Sequence, residues 1–443
     1  MIQNIHAFHD QSCEYCHITI SKWIKLAEFE IDCPTCCYIR SVNGLMFSPP
    51  LLPSNAPAVF AKQASTRLVM ERVLRGPISR AELARGTGLS KQTISVVMRE
   101  LEREGWVHAQ GQSQGAVGRS AVMYAIRPSA AFVLGIDLGG TKLHVALADL
   151  SGEIVAEAVE PTAPKGGIDV VEQIGRMADR LIERAGIARQ RMLGGVMGSP
   201  GVVDPVSGAI VIAPNIPAFD SFDVQSALRQ RLGVEVTIEN DVNLAAVGEH
   251  WRGNSRNTRT FAFIAMGTGI GMGLFADGHL IRGAHGAAGE IAYLPLGGDP
   301  YDARGLRLGT LETAICSAAI TERYAGHGGA AGSTVRAIFD RLDDDEAARR
   351  TIDEVARIIA IAILAVHSVI DPEVVVMGGS IGVRPELTTQ VAAQLARCMH
   401  APVPVEISAL GSRATLIGAI GRAIDIVHRK VFGIGAEAAS SAP

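Results

Sequence analysis

Two carboxylates in this sequence stand where a side chain could take part in catalysis. Asp137 closes the apolar run "VLGID" directly before a glycine turn, and Asp241 lies in "ENDVN" (239–243), where a strand pattern gives way to a helical one. A carboxylate so placed can accept the proton of a hydroxyl group, and a second can hold Mg²⁺ through water. Asp241 is therefore our candidate general base for phosphoryl transfer to a hydroxyl. An Asn/Asp pair at this junction is also typical of a helix cap, and that alternative stays open.

Two glycine-rich turns could bind phosphate, "DLGGTK" (137–142) and "GTGIG" (267–271), and a third, "MGGS" (377–380), could hold the adenosine. Glycine lets backbone N–H groups approach a phosphate without a Cβ clash. One such turn alone is more often a tight hairpin, whereas two that open matching halves, with a third between a strand and a helix, favour a nucleotide site. The residues predicted to bind ATP and Mg²⁺ are Asp137, Gly139, Gly140, Thr141, Lys142, Gly267, Thr268, Gly269, Gly378 and Gly379.

A second kind of chemistry is predicted upstream, in "ISRAELARGTGLSKQTISVVMRELEREGW" (78–106). Ser79 and Ser90 are suited to cap two helices, and the glycines between them allow a tight turn. The polar start of the second helix is where a recognition helix meets base edges. The predicted DNA contacts are Ser90, Lys91, Gln92, Thr93, Ser95 and Arg99, with Arg119 at the tip of a following β wing. The alternative is a small helical bundle with no nucleic-acid role.

Changes of pattern along the chain predict four segments. They are an extension with a proline-rich linker (1–57), a winged helix-turn-helix domain (58–127), a larger α/β domain (129–430) and a disordered tail (431–443). In the α/β domain, three adjoining strands followed by alternating helices and strands occur twice, which implies a duplicated fold with a cleft between the halves. The first helix of the smaller domain is expected to bury Leu68, Val69, Val73 and Leu74.

Five of the seven cysteines fall within the first 37 residues. Four of them have the spacing of a zinc knuckle, in which two short turns point four thiolates at one ion: Cys13, Cys16, Cys33 and Cys36. "CEYCH" (13–17) also matches a haem-attachment pattern, which requires export. The alternative is that residues 1–45, whose composition differs from that of the rest, reflect a start assigned too early, with the true start at Met46.

The composition limits the class of protein. The 443 residues are 48% hydrophobic and 19% charged, and the net charge of −4 argues against binding to polyanions over the whole surface. Any contact with nucleic acid should therefore be local. No stretch reads as a secretory signal, and the longest apolar run, 358–370, is too short to span a membrane. We expect a cytoplasmic protein that has no contact with a membrane.

The motifs beyond residue 130 together resemble one family. "DLGGTK", "SPGVVDPVSGAI" with "PNIPAF", "ENDVN", "GTGIG", "RGAHGAAGEI" and "MGGS" match, in order, the pattern of the ROK family of repressors, open reading frames and sugar kinases. The upstream head makes the chain similar to the transcriptional regulator branch. The resemblance implies a two-lobed, actin-like (ribonuclease H-like) ATPase fold. It also implies that sugar hydroxyls face Asn215, Asn240, Asp241, Glu290 and Glu312.

The segment 289–312, "GEIAYLPLGGDPYDARGLRLGTLE", departs from the family pattern. Tyr293 stands where the family has a histidine, Thr310 stands where it has the last cysteine, and no cysteine or histidine lies between them. We therefore expect no structural zinc in this domain. Tyr293 could bind a sugar hydroxyl through its phenol or could simply pack.

Two functions follow as expectations. The first is a sugar-responsive, DNA-binding regulator of carbohydrate metabolism, most simply a repressor, in which a sugar or sugar phosphate closes the two halves. It would bind operator DNA as a homodimer or homotetramer. The second is an ATP-dependent sugar kinase, similar to glucokinase, that phosphorylates a hexose hydroxyl with ATP and Mg²⁺. Both can be true of one chain.

Overall fold

The computed structural model of the chain describes residues 56–112, 121–203, 210–212, 216–219 and 221–434. The elements that carry the site belong to one of the two units into which the chain divides, Phe60–Pro443. Several predicted site residues lie outside the described residues: Cys13, Cys16, Cys33, Cys36, Arg119 and Asn215.

The N-terminal head is a winged helix-turn-helix. Its elements are helix α1 (Ala56–Val73), strand β1 (Ile78–Ser79), helices α2 (Arg80–Thr87) and α3 (Lys91–Arg103), and strands β2 (Val107–Gln112) and β3 (Val122–Ile126). The strands form a sheet in the order β1–β3–β2. Ser79 and Glu82 form a capping box at the start of α2, and Gly88 ends that helix with a φ of 72°. Only a residue such as glycine adopts this left-handed conformation without strain, so the turn leads directly into α3.

The core of the head differs from the prediction at one position. Val69 and Val73 are buried as expected and Leu74 is partly buried, but Leu68 is 40% exposed and Met70 is fully buried instead. The helix is rotated so that Met70, rather than Leu68, faces the buried residues of α3. Helical spacing alone allows either rotation, and packing against the neighbouring helices decides between them.

Two five-stranded sheets of the same topology follow. The first has the order β6–β5–β4–β7–β10 and the second β13–β12–β11–β14–β15. In each, three antiparallel strands are extended by two parallel ones. The strands of the first lobe are β4 (Phe132–Leu138), β5 (Lys142–Asp149), β6 (Ile154–Pro161), β7 (Met192–Ser199) and β10 (Val236–Asn240), with the small pair β8 (Val202–Val203) and β9 (Ile210–Ile212) beside them. Those of the second lobe are β11 (Phe261–Met266), β12 (Ile270–Ala276), β13 (His279–Ile281), β14 (Val374–Gly378) and β15 (Val405–Ile407). The predicted duplication is confirmed.

Helices cover these sheets and join the lobes. They are α4 (Gly167–Arg184), α5 (Val224–Leu232), α6 (Asp241–Arg252), α7 (Ala303–Leu308), α8 (Thr310–Ile315), α9 (Ser317–Gly326), α10 (Val335–Phe339), α11 (Glu346–Ile370), α12 (Gly379–Gly382), α13 (Pro385–Cys398) and α14 (Ala414–Phe432). The apolar run 358–370 is the second half of α11, which packs into the core of the second lobe. Within the described residues, no helix is both long enough and apolar enough to cross a bilayer.

Helices α6 and α14 approach each other unusually closely. A Cβ added to Gly418 of α14 would lie 1.8 Å from the carbonyl oxygen of Leu244, and one added to Gly248 of α6 would lie 2.3 Å from that of Ala414. These distances are far shorter than any real contact, so only glycine allows the two backbones to touch. The two helices therefore behave as one packed unit beside the first sheet.

The C-terminal end of α14 packs into the head. Phe432 and Ile434 are buried in the same apolar cluster as the core of the winged helix. The ring of Phe432 meets that of Trp106 edge to face, with centroids 5.0 Å apart. The prediction of a disordered tail from residue 431 is therefore wrong at its start, because the helix runs through Phe432 and its last side chains are core residues. Residues 435–443 lie outside the described residues.

Candidate functional site

Asp241 is the first residue of α6, directly after strand β10. Asn240 caps this helix: its Oδ1 accepts the N–H groups of Val242 and Asn243 at 2.9 and 3.0 Å. Its Nδ2 donates to the carbonyl of Gly201 at 3.0 Å. Asn240 is therefore the cap of this helix, as the alternative interpretation of the sequence expected. One N–H of its side-chain amide remains available for a ligand. Fixing Asn240 in this way sets the position of Asp241, whose Oδ1 accepts the N–H of Val242 at 2.9 Å.

Four acidic side chains from both lobes share one electrostatic environment. Burial, followed by the charge of Asp137 and then that of Glu290, raises the pKa of Asp241 to about 7. Burial raises the pKa of Asp137 to about 6, against the opposing effect of Lys142. The pKa values of Glu290 and Glu312 are also raised, in both cases mainly by burial. The charges of Asp137 and Glu290 thus act on Asp241, and that of Glu290 acts on Glu312; perturbed acids of this kind are common at functional sites.

The "DLGGTK" turn is a hairpin tip between β4 and β5. The N–H of Gly139 donates to the carbonyl of Lys142 at 2.9 Å, and the carbonyl of Gly139 accepts the hydroxyl of Thr162 at 2.6 Å. Gly139 therefore holds the turn together and has no free N–H for a phosphate. Gly140, Thr141 and Lys142 are exposed at the tip, where they can meet a ligand.

The two glycine motifs of the second lobe lie side by side. In "GTGIG", the N–H of Gly267 donates to the carbonyl of Gly269 at 2.9 Å, which leaves Thr268 exposed. Glu312 Oε2 accepts the N–H of Ile270 at 3.1 Å. In "MGGS", Gly379 has a φ of 78°, and a Cβ on it would lie 2.4 Å from the carbonyl of Met266. The chain therefore needs glycine at position 379 to bring β14 and α12 against the end of β11.

The wall formed by residues 289–312 is held by close backbone packing. A Cβ on Gly309 (φ 91°) would lie 2.3 Å from the carbonyl oxygen of Ala292, and Thr310 is buried beside it. Tyr293 is 54% exposed, so its ring is not part of the hydrophobic core. No group of three or more His, Cys, Asp or Glu side chains within the described ranges could hold a metal ion. Close backbone packing and apolar side chains buried in the core of the second lobe hold this segment where the family pattern has zinc ligands.

Sequence reasoning missed an ion pair between the lobes. Glu239 is the second-last residue of strand β10 in the first lobe. Its Oε2 accepts hydrogen bonds from Nε and Nη2 of Arg282, which follows β13 of the second lobe, at 2.7 and 2.6 Å. Glu239 Oε1 also accepts the side-chain amide of Asn243 at 3.2 Å. Only the position of Glu239 beside Asp241 hinted at this role, and nothing in the sequence pointed to Arg282.

In α3, the helix predicted to contact DNA, some polar side chains are exposed and others cap the helix. Ser90 Oγ accepts the N–H of Thr93 at 3.1 Å and lies 2.9 Å from its hydroxyl, so these two side chains cap α3. Lys91, Gln92 and Arg99 are exposed, and Ser95 is partly exposed. The exposed face of α3 is thus polar at its N-terminal end, as a recognition helix requires.

Comparison with known proteins identifies the family of each of the two domains. Residues 133–425 match the ROK family, and residues 73–108 match the winged helix-turn-helix DNA-binding family. The chain belongs to the ROK family. The expected two-lobed actin-like fold and the N-terminal DNA-binding type of head are both confirmed.

Its relatives in the ROK family include regulators and kinases. The chain is 26% identical to a xylose repressor of Caldicellulosiruptor bescii over 82% of this chain and 96% of the relative. It is 31% identical to a glucokinase of Thermotoga maritima over 56% of this chain and 82% of the relative. A solved ROK transcriptional regulator, a homologue of the E. coli MLC protein, shares the fold over 82% of this chain and 96% of its own (TM-score 0.67, 23% identity). A ROK hexokinase from Thermus thermophilus covers 67% of this chain and 99% of its own (TM-score 0.58, 30% identity).

Proposed function

We propose that this protein is a DNA-binding transcriptional repressor of carbohydrate metabolism whose binding to its operator depends on a sugar. The observation that carries the proposal is the shared core of the head and α14: the helix that touches the Asp241 backbone at one end supplies Phe432 to the winged helix at the other. A kinase without a regulatory role has no need for this connection. The similarity to a xylose repressor along nearly the whole of that relative supports the same conclusion.

The cleft is suited to a polyol. Asp241 approaches it from the first lobe and Glu290 and Glu312 from the second, and each carboxylate can accept hydrogen bonds from neighbouring hydroxyl groups. A sugar that bridges these groups would favour the closed arrangement of the lobes. The ligand must bind one arrangement more tightly than the other, because equal affinity for both would shift nothing.

Helix α14 provides a route from this cleft to the DNA-binding head. At its first turn, Thr415 Oγ1 donates to the carbonyl of Asp241 at 3.1 Å. At its last turn, Phe432 packs against Trp106 of the head. The helix is 19 residues long, which corresponds to about 28 Å at 1.5 Å per residue. A displacement of α6 on ligand binding would therefore reach the head through a rigid element.

The first test is a binding assay with DNA selected by the full-length protein from a random duplex library. We expect one of a panel of pentoses and hexoses, with D-xylose as the first candidate, to change the affinity by at least about tenfold, which corresponds to a coupling free energy of about 1.4 kcal/mol. Affinity should also fall steeply as salt increases, since phosphate contacts release counterions. If no sugar or sugar phosphate changed the affinity of the protein for the selected duplex, the proposal that a sugar controls DNA binding would be wrong.

A second test separates coupling from binding. Phe432→Ala should leave the affinity of the cleft for the sugar unchanged, as measured by calorimetry, while the effect of the sugar on DNA affinity shrinks. The exposed Val431, its neighbour on α14 outside that core, provides a matched control as Val431→Ala. If Phe432→Ala remained folded and kept the full sugar response, α14 would not be the route.

A second candidate function, an ATP-dependent sugar kinase, is favoured by one observation: Asp137 lies near enough to both Lys142 and Asp241 for their charges to interact. The buried Asp137 carboxylate has a raised pKa, and a cation beside it would favour its charged form. Mg²⁺ is commonly held by one or two carboxylates and phosphate oxygens, so the lack of a three-acid cluster among the described side chains is compatible with it. Bound ATP would supply the phosphoryl group, while Lys142 and the exposed turn residues would hold its phosphates.

In that reaction Asp241 would accept the proton of the sugar hydroxyl. A pKa of about 7 suits this role, because such a group is partly ionised near neutral pH and basic enough to accept a proton. The test is ADP release from ATP, Mg²⁺ and the same sugar panel. Asp241→Asn should abolish release and spare DNA binding, whereas unchanged turnover would remove Asp241 from the base role.

The remaining proposals concern assembly and domain limits. We propose a homodimer or homotetramer, because paired heads would read paired half-sites, and a cytoplasmic location where operator DNA is accessible. The proposed working boundaries are 58–127 for the head and 129–430 for the ROK domain, with α14 shared between them. Light scattering of the purified chain, with and without operator, tests the assembly.

A further inference from the structure

The outward face of α3 carries one apolar side chain among polar ones. Val96 is 46% exposed, while Ile94, Val97, Met98 and Leu101 of the same helix face the core. A helix turns about 100° per residue, so Val96 lies opposite those core residues, one turn after Gln92 and three residues before Arg99. Any surface that meets Gln92 and Arg99 must therefore meet Val96 as well.

The fold of the head does not account for a valine at this position. A β-branched residue has a lower helix propensity than lysine, arginine, glutamate or alanine, and an exposed one gains little burial in return. Single exposed apolar residues are common on protein surfaces. This one is distinguished by its place, at the centre of the face whose N-terminal half carries the exposed Lys91 and Gln92.

We propose that Val96 recognises the 5-methyl group of a thymine in the major groove. The inference rests on the proposed DNA-binding function and names part of its sequence specificity. Among the four bases, only thymine presents an apolar group in the major groove, and an apolar side chain is what contacts it. The charged and amide side chains around Val96 can read donors and acceptors, but they cannot favour a methyl group. Val96 therefore discriminates thymine from cytosine, which lacks this methyl.

The test uses the full-length protein and a duplex that it selects from a random library. Each thymine of that duplex is replaced in turn by deoxyuridine, which removes only the methyl group. At one position in each half-site, we expect the replacement to weaken binding of the wild-type protein about fourfold, the factor that corresponds to burying one methyl group. Val96→Ala should bind the thymine duplex more weakly by a similar factor and should be insensitive to deoxyuridine at that position.

Val155→Ala is the matched control. Val155 is 43% exposed, close to the value for Val96, but lies on strand β6 of the first lobe. This variant should keep the full response to deoxyuridine. Because Val96 is exposed, Val96→Ala should also unfold at the wild-type temperature, which excludes a folding defect as the cause of weaker binding.

The outcomes distinguish this inference from the proposed function. If no duplex is enriched, DNA binding itself is wrong and the role of Val96 falls with it. If a duplex is enriched but no deoxyuridine substitution weakens binding, the protein binds DNA and the thymine contact is wrong. The same conclusion follows if wild type and Val96→Ala respond equally at every thymine.

Discussion

Asp241 should reduce the stability of the ligand-free protein at neutral pH. The folded protein holds this carboxyl group at a pKa of about 7, whereas an unfolded chain has it near 3.8. Between these values the folded state keeps a proton that the unfolded state has released, so stability falls as the pH rises from about 4 to about 7. The difference of about three pH units, at 1.36 kcal/mol each, sets an upper limit of about 4 kcal/mol.

Asp241→Asn removes this charge while keeping the size of the side chain. We expect the variant to be more stable than wild type by about 1–3 kcal/mol at pH 8, less than the limit, because the amide must also be desolvated and a favourable charge at a helix N-terminus is lost. At pH 4.5 the wild-type carboxyl is protonated in the folded state, and most of the gain should disappear. Urea unfolding at both pH values measures the difference.

Asp223→Asn is the control for this experiment. Asp223 also stands at a helix N-terminus, where its carboxylate accepts the N–H of Ser226 at 2.9 Å. Hydrogen bonds from the side chain and then the backbone of Ser226 lower its pKa. Its replacement should give no gain in stability at pH 8. The reasoning about Asp241 would be refuted if Asp241→Asn were no more stable than wild type at pH 8, or if its gain were the same at both pH values.

Two further predictions concern the packing and charges around the site. Gly418→Ala should destabilise the protein by about 1–3 kcal/mol in thermal unfolding, because its Cβ would lie 1.8 Å from the Leu244 carbonyl oxygen. The control is Gly326→Ala, whose Cβ would have no atom within 4 Å and which should be neutral or slightly stabilising. Equal melting temperatures for the two variants would contradict the close approach of α6 and α14. Burial lowers the pKa of His144, and Glu157 Oε2, 3.0 Å from its Nε2, opposes this effect. Glu157→Gln should therefore lower the pKa of His144 further in an NMR titration, and a rise would contradict the assigned contact.

The sequence by itself determined the elements of the fold and proposed the residues of the site. Strand and helix patterns around "DLGGTK", "GTGIG" and "ENDVN" predicted the duplicated α/β fold, because alternation and helical spacing depend only on local geometry. The caps at Ser79 and Ser90 were predicted for the same reason: a side chain that bonds to a backbone N–H three residues later needs no distant partner.

Only the tertiary structure decided which groups share an environment. The pKa of Asp241 depends on Asp137, 104 residues before it, and on Glu290 from the other lobe. The pairing of Glu239 with Arg282 and the burial of Phe432 in the head have no local pattern, since each requires two segments far apart in the chain to meet. Desolvation, charge coupling and side-chain packing act through space, so they follow from the fold and not from the order of residues.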